Sequence, residues 1–305
     1  MMRNSLLWLA GNHWVHRQVV KSPLARPVAR RFVAGETVAD ALGVVTQLNR
    51  EGAHVTLDYL GENVTSAAEA TAVKQMDTRL LDEISKRSLD CNISLKLTAL
   101  GLDISRAAAE ANLCSILELA RTHDTFVRID MEGSSYTQIT LDVFEQMYGK
   151  EGFKNVGTVL QAYLYRTAQD VARMNELGAR VRLCKGAYQE PANVAYPQKA
   201  DVDQNYFRLA CSLLRNGTYP GLATHDSQLI DQIKQFIREQ KIPYDCFEFQ
   251  MLYGVRRDLQ QQLVREGYNV RVYVPFGEAW YPYLMRRMAE RPANMLFILK
   301  SLRYK

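Results

Sequence analysis

Charged and hydrogen-bonding residues follow a series of short apolar runs along the chain, and these residues are the candidates for chemistry. Lys96 follows an apolar run over residues 92–95, and Asp130 follows a run over residues 126–129. Each such residue alone is typical of a solvated loop, but seven consecutive runs that end in this way suggest that the residues act together. The others are Gln161, Arg182, Lys185, Thr224, His225, Asp226, Gln250 and Tyr273.

Lys96 is a candidate for Schiff-base chemistry, because a buried lysine with a lowered pKa is a good nucleophile. This interpretation predicts a lysine-dependent aldolase as an alternative function. Metal-dependent hydrolysis has less support. The only close histidine pair, His13 and His16, precedes the apolar runs, and the five histidines form no HExxH motif. We therefore predict no metal site.

The last helical segment carries a second group of charged residues. Arg287 and Glu290 are three residues apart and so share a face of a helix over residues 280–291. Such a pair is normally part of a solvated helix surface. This helix, however, begins just after the run that holds Tyr273, so its first turns approach the same site. The planar guanidinium groups of Arg286 and Arg287 match the two oxygens of a carboxylate, which predicts an anionic small-molecule ligand.

The elements that position these residues are strands and helices in alternation, beginning near residue 54. Eight short apolar or β-branched runs are separated by segments with helical spacing, which indicates βα units and a parallel sheet. Eight such units over about 250 residues are typical of a (β/α)8 barrel, whose active sites lie at the carboxyl ends of the strands. A doubly wound sheet is the alternative, but the chain has no GxG sequence and so lacks the dinucleotide fingerprint.

The composition of the 305 residues, 47% hydrophobic and 23% charged, is that of a globular protein with a sizeable core. A net charge of +5 is too small to indicate nucleic-acid binding. The longest apolar run is too short to span a bilayer. The five cysteines form no CxxC pair, which favours a reducing compartment over disulfides or structural zinc. We therefore predict a cytoplasmic protein.

Basic charge is concentrated at the amino terminus, where residues 1–35 contain six lysines and arginines and no acidic residue. An organellar transit peptide is one interpretation of such a segment. We favour a basic helical arm of the mature protein, interrupted at Pro23 and Pro27, that contacts an anionic surface. The predicted domains are this amino-terminal helical arm over residues 1–50 and a catalytic (β/α)8 barrel over residues 51–305.

Several motifs resemble those of the proline dehydrogenase family in its monofunctional bacterial form. The most specific are RLCKGAY at residues 182–188 and YLMRRMAER at residues 283–291, found together in this order. Further matching stretches lie at residues 30–37 (RRFVAGET), 94–98 (SLKLT), 223–226 (ATHD), 250–254 (QMLYG) and 273–277 (YVPFG). The resemblance covers nearly the whole chain. It implies an α/β fold, a distorted (β/α)8 TIM barrel whose last helix lies above the mouth.

The resemblance also implies a flavoprotein that oxidises L-proline to 1-pyrroline-5-carboxylate by hydride transfer to FAD. This reaction is the first step of proline catabolism to glutamate. FAD would be bound without a Rossmann motif, which agrees with the missing GxGxxG sequence. The cofactor-binding residues implied in this way are Met131, Gln161, Arg182, Lys185, Gly186, Ala187, Thr224 and His225.

The same resemblance implies a substrate site. The carboxylate of L-proline would be held by Lys96, Arg286 and Arg287, while Tyr188, Leu252 and Tyr273 would pack on the pyrrolidine ring. Asp130 and Glu290 would support this cluster. Tyr273 resembles the bulky residue of proline-specific enzymes, and its bulk against the ring would disfavour 4-hydroxyproline. The implied catalytic set is Lys96, Asp130, Tyr273, Arg286, Arg287 and Glu290.

The implied partners follow from this reaction. A membrane quinone would accept the electrons, and the acid-poor arm would make a peripheral contact with the inner face of the membrane. No aldehyde dehydrogenase domain follows the barrel, so a separate 1-pyrroline-5-carboxylate dehydrogenase would catalyse the second oxidation. A lysine-dependent aldolase and a non-catalytic barrel that binds a ligand remain the alternatives at this point.

Overall fold

Eight parallel strands form a closed barrel in which each strand pairs with the next along the chain and β8 pairs with β1. The computed structural model describes residues 29–290, with side chains up to residue 285. The architecture confirms the predicted (β/α)8 barrel and excludes a doubly wound sheet. The strands are β1 His54–Tyr59, β2 Cys91–Leu95, β3 Val127–Ile129, β4 Val156–Gln161, β5 Val181–Cys184, β6 Gly221–Ala223, β7 Glu248–Leu252 and β8 Val270–Phe276.

Helices alternate with the strands and cover the outside of the barrel. A π-helix, Gln146–Lys150, extends the fourth of them, and a short 3-10 helix, Tyr244–Cys246, leads into β7. The α-helices of the described residues are α1 Val38–Arg50, α2 Ala67–Lys86, α3 Arg106–Thr122, α4 Ser134–Glu145, α5 Thr167–Glu176, α6 Lys199–Asn216, α7 Ser227–Gln240, α8 Arg257–Arg265 and α9 Trp280–Glu290.

Local sequence explains where several of these helices begin. Thr37 and Asp40 form a capping box at the start of α1, in which each side chain accepts a hydrogen bond from the backbone N–H of the other residue. Ser66 and Ser105 cap α2 and α3 with one side-chain bond each. The apolar faces of the helices then pack on the barrel in one continuous core, as expected for a parallel sheet covered on its outer face.

Polar and charged side chains fill part of the barrel interior. At the lower level, Arg271 Nε lies 2.8 Å from Glu248 Oε1, and Arg128 donates hydrogen bonds to the carbonyl oxygens of Thr158 and Arg180. Arg128 and Glu248 are buried. Each of these charged side chains has a hydrogen-bonding partner. Such a partner is needed, because a buried charge without a hydrogen-bonding partner is strongly destabilising. The upper level of the interior is occupied by a second polar group at the carboxyl ends of the strands.

Residues 29–36 run along the upper end of the barrel beside α9. The backbone N–H of Ala34 donates to the carbonyl of Pro275 at 2.9 Å, and the indole of Trp280 donates to Glu36 at 3.0 Å. The helix α1 shares the hydrophobic core of the barrel. Residues 1–28 of the predicted arm, which spans residues 1–50, lie outside the described residues, and the division at residue 50 stays a prediction. None of the helices within residues 29–290 is long and apolar enough to cross a membrane.

Gly157 in β4 is expected to be intolerant of a side chain. A Cβ atom at this position would lie 2.5 Å from the carbonyl oxygen of Arg180 and 2.6 Å from Nη1 of Arg128. We expect Gly157→Ala to destabilise the protein by about 1–3 kcal/mol, because these packed groups must move. The midpoint of urea unfolding measures the effect.

Gly43→Ala provides the matched control for this change. Gly43 is exposed in the middle of α1, and no neighbouring atom lies within 4 Å of its Cβ position. Alanine is the better helix former, so this variant should be more stable by up to about 1 kcal/mol. A Gly157→Ala midpoint at or above that of the wild type would contradict the packing described here.

Candidate active site

A cavity of about 780 Å³ opens at the carboxyl ends of the strands and is lined by residues from all eight strand ends. Its volume is in the range of small-molecule sites. Tyr283 and Leu284 of α9 line the same cavity. The residues contributed at or just after the strands, in the order β1 to β8, include Asp58, Lys96, Asp130, Gln161, Arg182, Thr224, Leu252 and Tyr273.

The carboxylate of Asp130 is the centre of a hydrogen-bonded cluster at the base of this cavity. Its Oδ1 lies 2.6 Å from Arg182 Nη1 and 3.1 Å from the Ser94 hydroxyl, and its Oδ2 accepts a 2.7 Å bond from the Tyr273 hydroxyl. Arg182 Nε also donates to Gln250 at 2.5 Å. Burial, reinforced by the charge of Asp130, raises the pKa of Tyr273 well above its ordinary value. The Tyr273 hydroxyl is therefore a neutral donor.

Lys96 is an ammonium group held between two carboxylates. Its Nζ lies 3.1 Å from Asp58 Oδ1 and 3.8 Å from Asp130 Oδ2. Burial disfavours the charged form, but the negative charges of Asp58 and Asp130 outweigh burial and raise the pKa of Lys96 above its ordinary value. A Schiff-base lysine needs the opposite shift, so the structure argues against a lysine-dependent aldolase.

Asp58 is a site residue that the sequence analysis missed. Its side chain is buried near the end of β1, where burial raises the pKa of the carboxyl and the Lys96 ammonium opposes this effect. The sequence does contain a signal for it. Thr56 and Asp58 alternate with the apolar Val55 and Leu57, and this alternation places both polar side chains on the same face of the strand.

Gln161, the last residue of β4, lines the cavity beside this cluster. Its Nε2 donates to the backbone oxygen of Glu132 at 3.2 Å. Its Oε1 is buried and accepts no hydrogen bond from the residues that the structure describes. A buried acceptor without a donor is destabilising, so this atom marks a position where an N–H group of a ligand fits.

The loop between β5 and α6 lines another part of the wall with Lys185, Gly186, Ala187 and Tyr188. Gly186 has a φ of +111°, which favours glycine, and a Cβ atom there would lie 2.2 Å from the ring of Tyr163. Lys185 Nζ lies 2.5 Å from Asp203 and 2.9 Å from Asp226. The loop backbone therefore follows a path along the cavity that only glycine permits at this position.

Two further acidic residues that the sequence analysis missed tie the loops of the mouth together. Glu132 accepts hydrogen bonds from the backbone N–H and the hydroxyl of Thr98 at 3.2 and 2.7 Å. Glu190 accepts a 2.7 Å bond from the backbone N–H of Ser134 and another from its hydroxyl. Gly133 has no side chain to cap α4, so Glu190 provides the cap from a distant loop. These contacts fix the loops that carry Lys96, Asp130 and the residues after β5.

His225 follows β6 and contacts the end of β7. Its Nε2 lies 2.8 Å from the backbone N–H of Leu252, and a backbone N–H can only donate. This contact assigns the neutral tautomer, with the ring proton on Nδ1. His225 and the neighbouring Thr224 both line the cavity.

The structure brings together the predicted site residues whose side chains it describes. Arg286, Arg287 and Glu290 lie on α9, but their side chains are outside the described ones, so their place in the site stays a prediction. Within residues 29–290, no group of three His, Cys, Asp or Glu side chains is placed to hold a metal ion. The predicted residues that line the cavity are Lys96, Asp130, Met131, Gln161, Arg182, Lys185, Gly186, Ala187, Tyr188, Thr224, His225, Leu252 and Tyr273.

Comparison with known proteins places this barrel in a family. The family model described as proline dehydrogenase matches residues 41–300. Proline dehydrogenase 1 of Bacillus subtilis subsp. natto is 44% identical over 302 residues, which is 99% of each chain. The proline dehydrogenase of Deinococcus radiodurans is 43% identical over 278 residues, which is 90% of each chain.

A solved structure extends the comparison to the fold. The crystal structure of proline utilization A from Bdellovibrio bacteriovorus, inactivated by N-propargylglycine, matches with a TM-score of 0.83 and 29% identity. The match covers 88% of this chain and 33% of that one, so this chain corresponds to about a third of the larger protein. The resemblance inferred from the motifs is confirmed. The chain belongs to the proline dehydrogenase family, whose members are oxidoreductases that act on proline.

Proposed function

We propose that the protein oxidises L-proline to 1-pyrroline-5-carboxylate, with FAD as the hydride acceptor and a membrane quinone as the final electron acceptor. The observation that carries this proposal is the buried cluster of Lys96, Asp130, Arg182 and Tyr273. Lys96, Arg182 and Tyr273 lie in the family motifs, and all four residues converge on one cavity. Family membership supports the reaction class, and the Lys96 ammonium supports an anionic substrate.

The residues around the cavity fit FAD. The buried Oε1 of Gln161 has no donor among the described residues, and the N–H group of a flavin ring would supply one. Gly186 lets a ligand approach the loop backbone, and Thr224 and His225 line the cavity on the side of β6. When bound, FAD supplies the two-electron acceptor that the oxidation requires. The residues proposed to hold it are Met131, Gln161, Arg182, Lys185, Gly186, Ala187, Thr224 and His225.

The carboxylate of proline would be bound by Lys96 together with Arg286 and Arg287 of α9. Several cations on one carboxylate fix the orientation of a small ring. The oxidation requires one particular C–H bond to face the hydride acceptor, so this fixed orientation lowers the entropic part of the barrier. The residues proposed to pack on the ring are Tyr188, Leu252 and Tyr273.

Arg182 and Asp130 would control the charge around the reacting atoms. Arg182 is held by Asp130 and Gln250, so its positive charge is fixed in advance and would stabilise the electron density gained in the reaction. Hydride loss requires a neutral amine, and Asp130 or a water molecule would take the amine proton. Glu290 would support this cluster from α9.

The proposed partners are a membrane quinone and a separate 1-pyrroline-5-carboxylate dehydrogenase, which would oxidise the product to glutamate. The basic arm would bring the catalytic barrel to the anionic inner leaflet. In this proposal the arm occupies residues 1–50 and the barrel residues 51–305.

A visible absorption spectrum tests the proposed reaction directly. We expect flavin bands in the purified protein that bleach when L-proline is added without oxygen, because two electrons enter the cofactor. D-Proline and glutamate are the controls and should leave the bands unchanged. A colourless protein that takes up no added FAD would contradict the proposal and leave a non-catalytic binder as the better description.

Arg287→Met tests the assignment of α9 to the substrate carboxylate. Loss of one charge-assisted hydrogen bond, about 1.5–3 kcal/mol, should raise the KM for proline by about 10- to 150-fold. The flavin content should stay that of the wild type, because this residue is assigned to the substrate. Steady-state kinetics and the flavin-to-protein absorbance ratio measure the two effects.

Arg265→Met is the matched control for this variant, since Arg265 is an exposed arginine at the end of α8. It should leave both the kinetics and the flavin content unchanged. Wild-type proline kinetics in Arg287→Met would remove Arg287 from the proposed carboxylate site.

Vesicle sedimentation tests the proposed role of the arm. We expect the protein to bind vesicles of anionic phospholipid at low salt and to be released as salt rises, because the contact is electrostatic. Vesicles of neutral phospholipid are the control. A variant with Arg17, Lys21 and Arg26 changed to glutamine should bind more weakly. Failure to bind anionic vesicles at any salt concentration would rule out this contact.

A further inference from the structure

Asp58 is the direct counter-ion of Lys96 and has no role in the assignments made so far. We propose that Asp58 is a positioning residue, which holds the Lys96 ammonium charged and in place, so that an anionic ligand binds equally well from neutral to strongly alkaline pH. The inference rests on the proposed function, in which Lys96 binds the carboxylate of proline.

The geometry makes Asp58 the closest partner of Lys96. The Asp58 side chain is 2% exposed, and its Oδ1 lies 3.1 Å from Lys96 Nζ. The Lys96 side chain is 16% exposed, so the ammonium is sheltered from most of the solvent but still lines the cavity. An ion pair that is screened so little by water has a large effect on the charge state of both groups.

Asp130 cannot replace Asp58 as this partner. Its Oδ1 is bound to Arg182 at 2.6 Å and its Oδ2 to the Tyr273 hydroxyl at 2.7 Å, whereas Lys96 is 3.8 Å away. The cluster therefore contains two pairs, Arg182 with Asp130 and Lys96 with Asp58. Removal of the Asp58 charge would leave the Lys96 ammonium with Asp130, which is shared and more distant, and with the weaker influence of Glu62.

The consequence for binding follows from the charge balance. The two pairs are neutral together, and a substrate carboxylate adds one negative charge beside Lys96. This addition is favourable only while Lys96 keeps its proton. Burial is the largest effect on the pKa of Lys96 and lowers it, and the Asp58 charge is the largest effect that opposes burial. Without Asp58, Lys96 would therefore lose its proton within the alkaline range in which the protein can be measured.

Other ionisable groups around Lys96 do not take over this role. Burial raises the pKa of Asp77 on α2 well above its ordinary value, which favours the uncharged carboxyl. Burial also raises the pKa of Glu132, which is engaged with Thr98. The guanidinium groups keep their charge throughout the range. The groups that face Lys96 are Asp58, Glu62, Asp77, Asp130, Glu132, Arg182, Tyr188 and Tyr273.

The test measures the affinity of the FAD-loaded protein for cyclopentanecarboxylate between about pH 7 and about pH 10 by isothermal titration calorimetry. This compound has the ring and the carboxylate of proline but no amine. Its own charge is therefore constant over the range, and any change in Kd reports the protein. The proteins compared are the wild type, Asp58→Asn and Asp77→Asn.

We expect the Kd of the wild type to change by less than about twofold across this range. In Asp58→Asn the Kd should rise by about tenfold per pH unit above the new pKa of Lys96, because binding then requires the uptake of one proton. Asp77→Asn is the matched control. It makes the same substitution at a second buried carboxyl, which makes no ion pair with Lys96. The dependence of its Kd on pH should therefore be that of the wild type.

A Kd of Asp58→Asn that does not change with pH would overturn the inference. If Asp58 only stabilised the fold, its loss would lower stability and leave the Kd independent of pH. If Asp58→Asn does not fold, the wild type still decides: a loss of affinity centred below about pH 9.5 would show that Lys96 is not held charged. These results are separate from the proposed function. Wild-type protein that bleaches with L-proline while Asp58→Asn gives a flat profile refutes only the role of Asp58.

Discussion

The rest of the site is arranged around the hydrogen bonds and ion pairs of the buried Asp130 carboxylate. It binds Arg182 and Tyr273 directly and lies 3.8 Å from Lys96. A carboxylate in this position is stable only with such partners, because burial of an unpaired charge is strongly destabilising. The partners come from β5, β8 and the residue after β2, so the cluster can form only when the barrel is closed. The site is therefore complete only in the closed barrel.

The loops of the mouth hold this cluster in a fixed geometry. Glu132 binds Thr98, two residues after Lys96, and Glu190 binds Ser134, four residues after Asp130. Both contacts join loops that follow different strands. The cations are consequently fixed before a ligand arrives, and a ligand does not have to reorganise them. In the barrel interior below, Glu248 and Arg271 make an ion pair, and Gln250 connects this level to the site because it donates to Glu248 and accepts from Arg182.

The sequence was sufficient to predict the barrel and many of the polar residues that line the cavity. Alternation in the strands places the side chains of Arg182 and Tyr273 on the inner face, and the strand ends place them at the mouth. Asp58 was missed because its run continues through Tyr59 and Leu60 and so ends in apolar residues. Glu132 and Glu190 were missed for a different reason. Their partners are 34 and 56 residues away in other loops, and no local pattern relates them.

The pairing of charges also relates the motif RLCKGAY to residues on other strands of the barrel. RLCKGAY supplies Arg182, which needs the carboxylate of Asp130 from β3 and the amide of Gln250 from β7. Removal of one member of a buried pair leaves the other uncompensated, at a penalty of about 3–5 kcal/mol. Arg182 is therefore physically compatible with this barrel only when its partners occur at the ends of other strands.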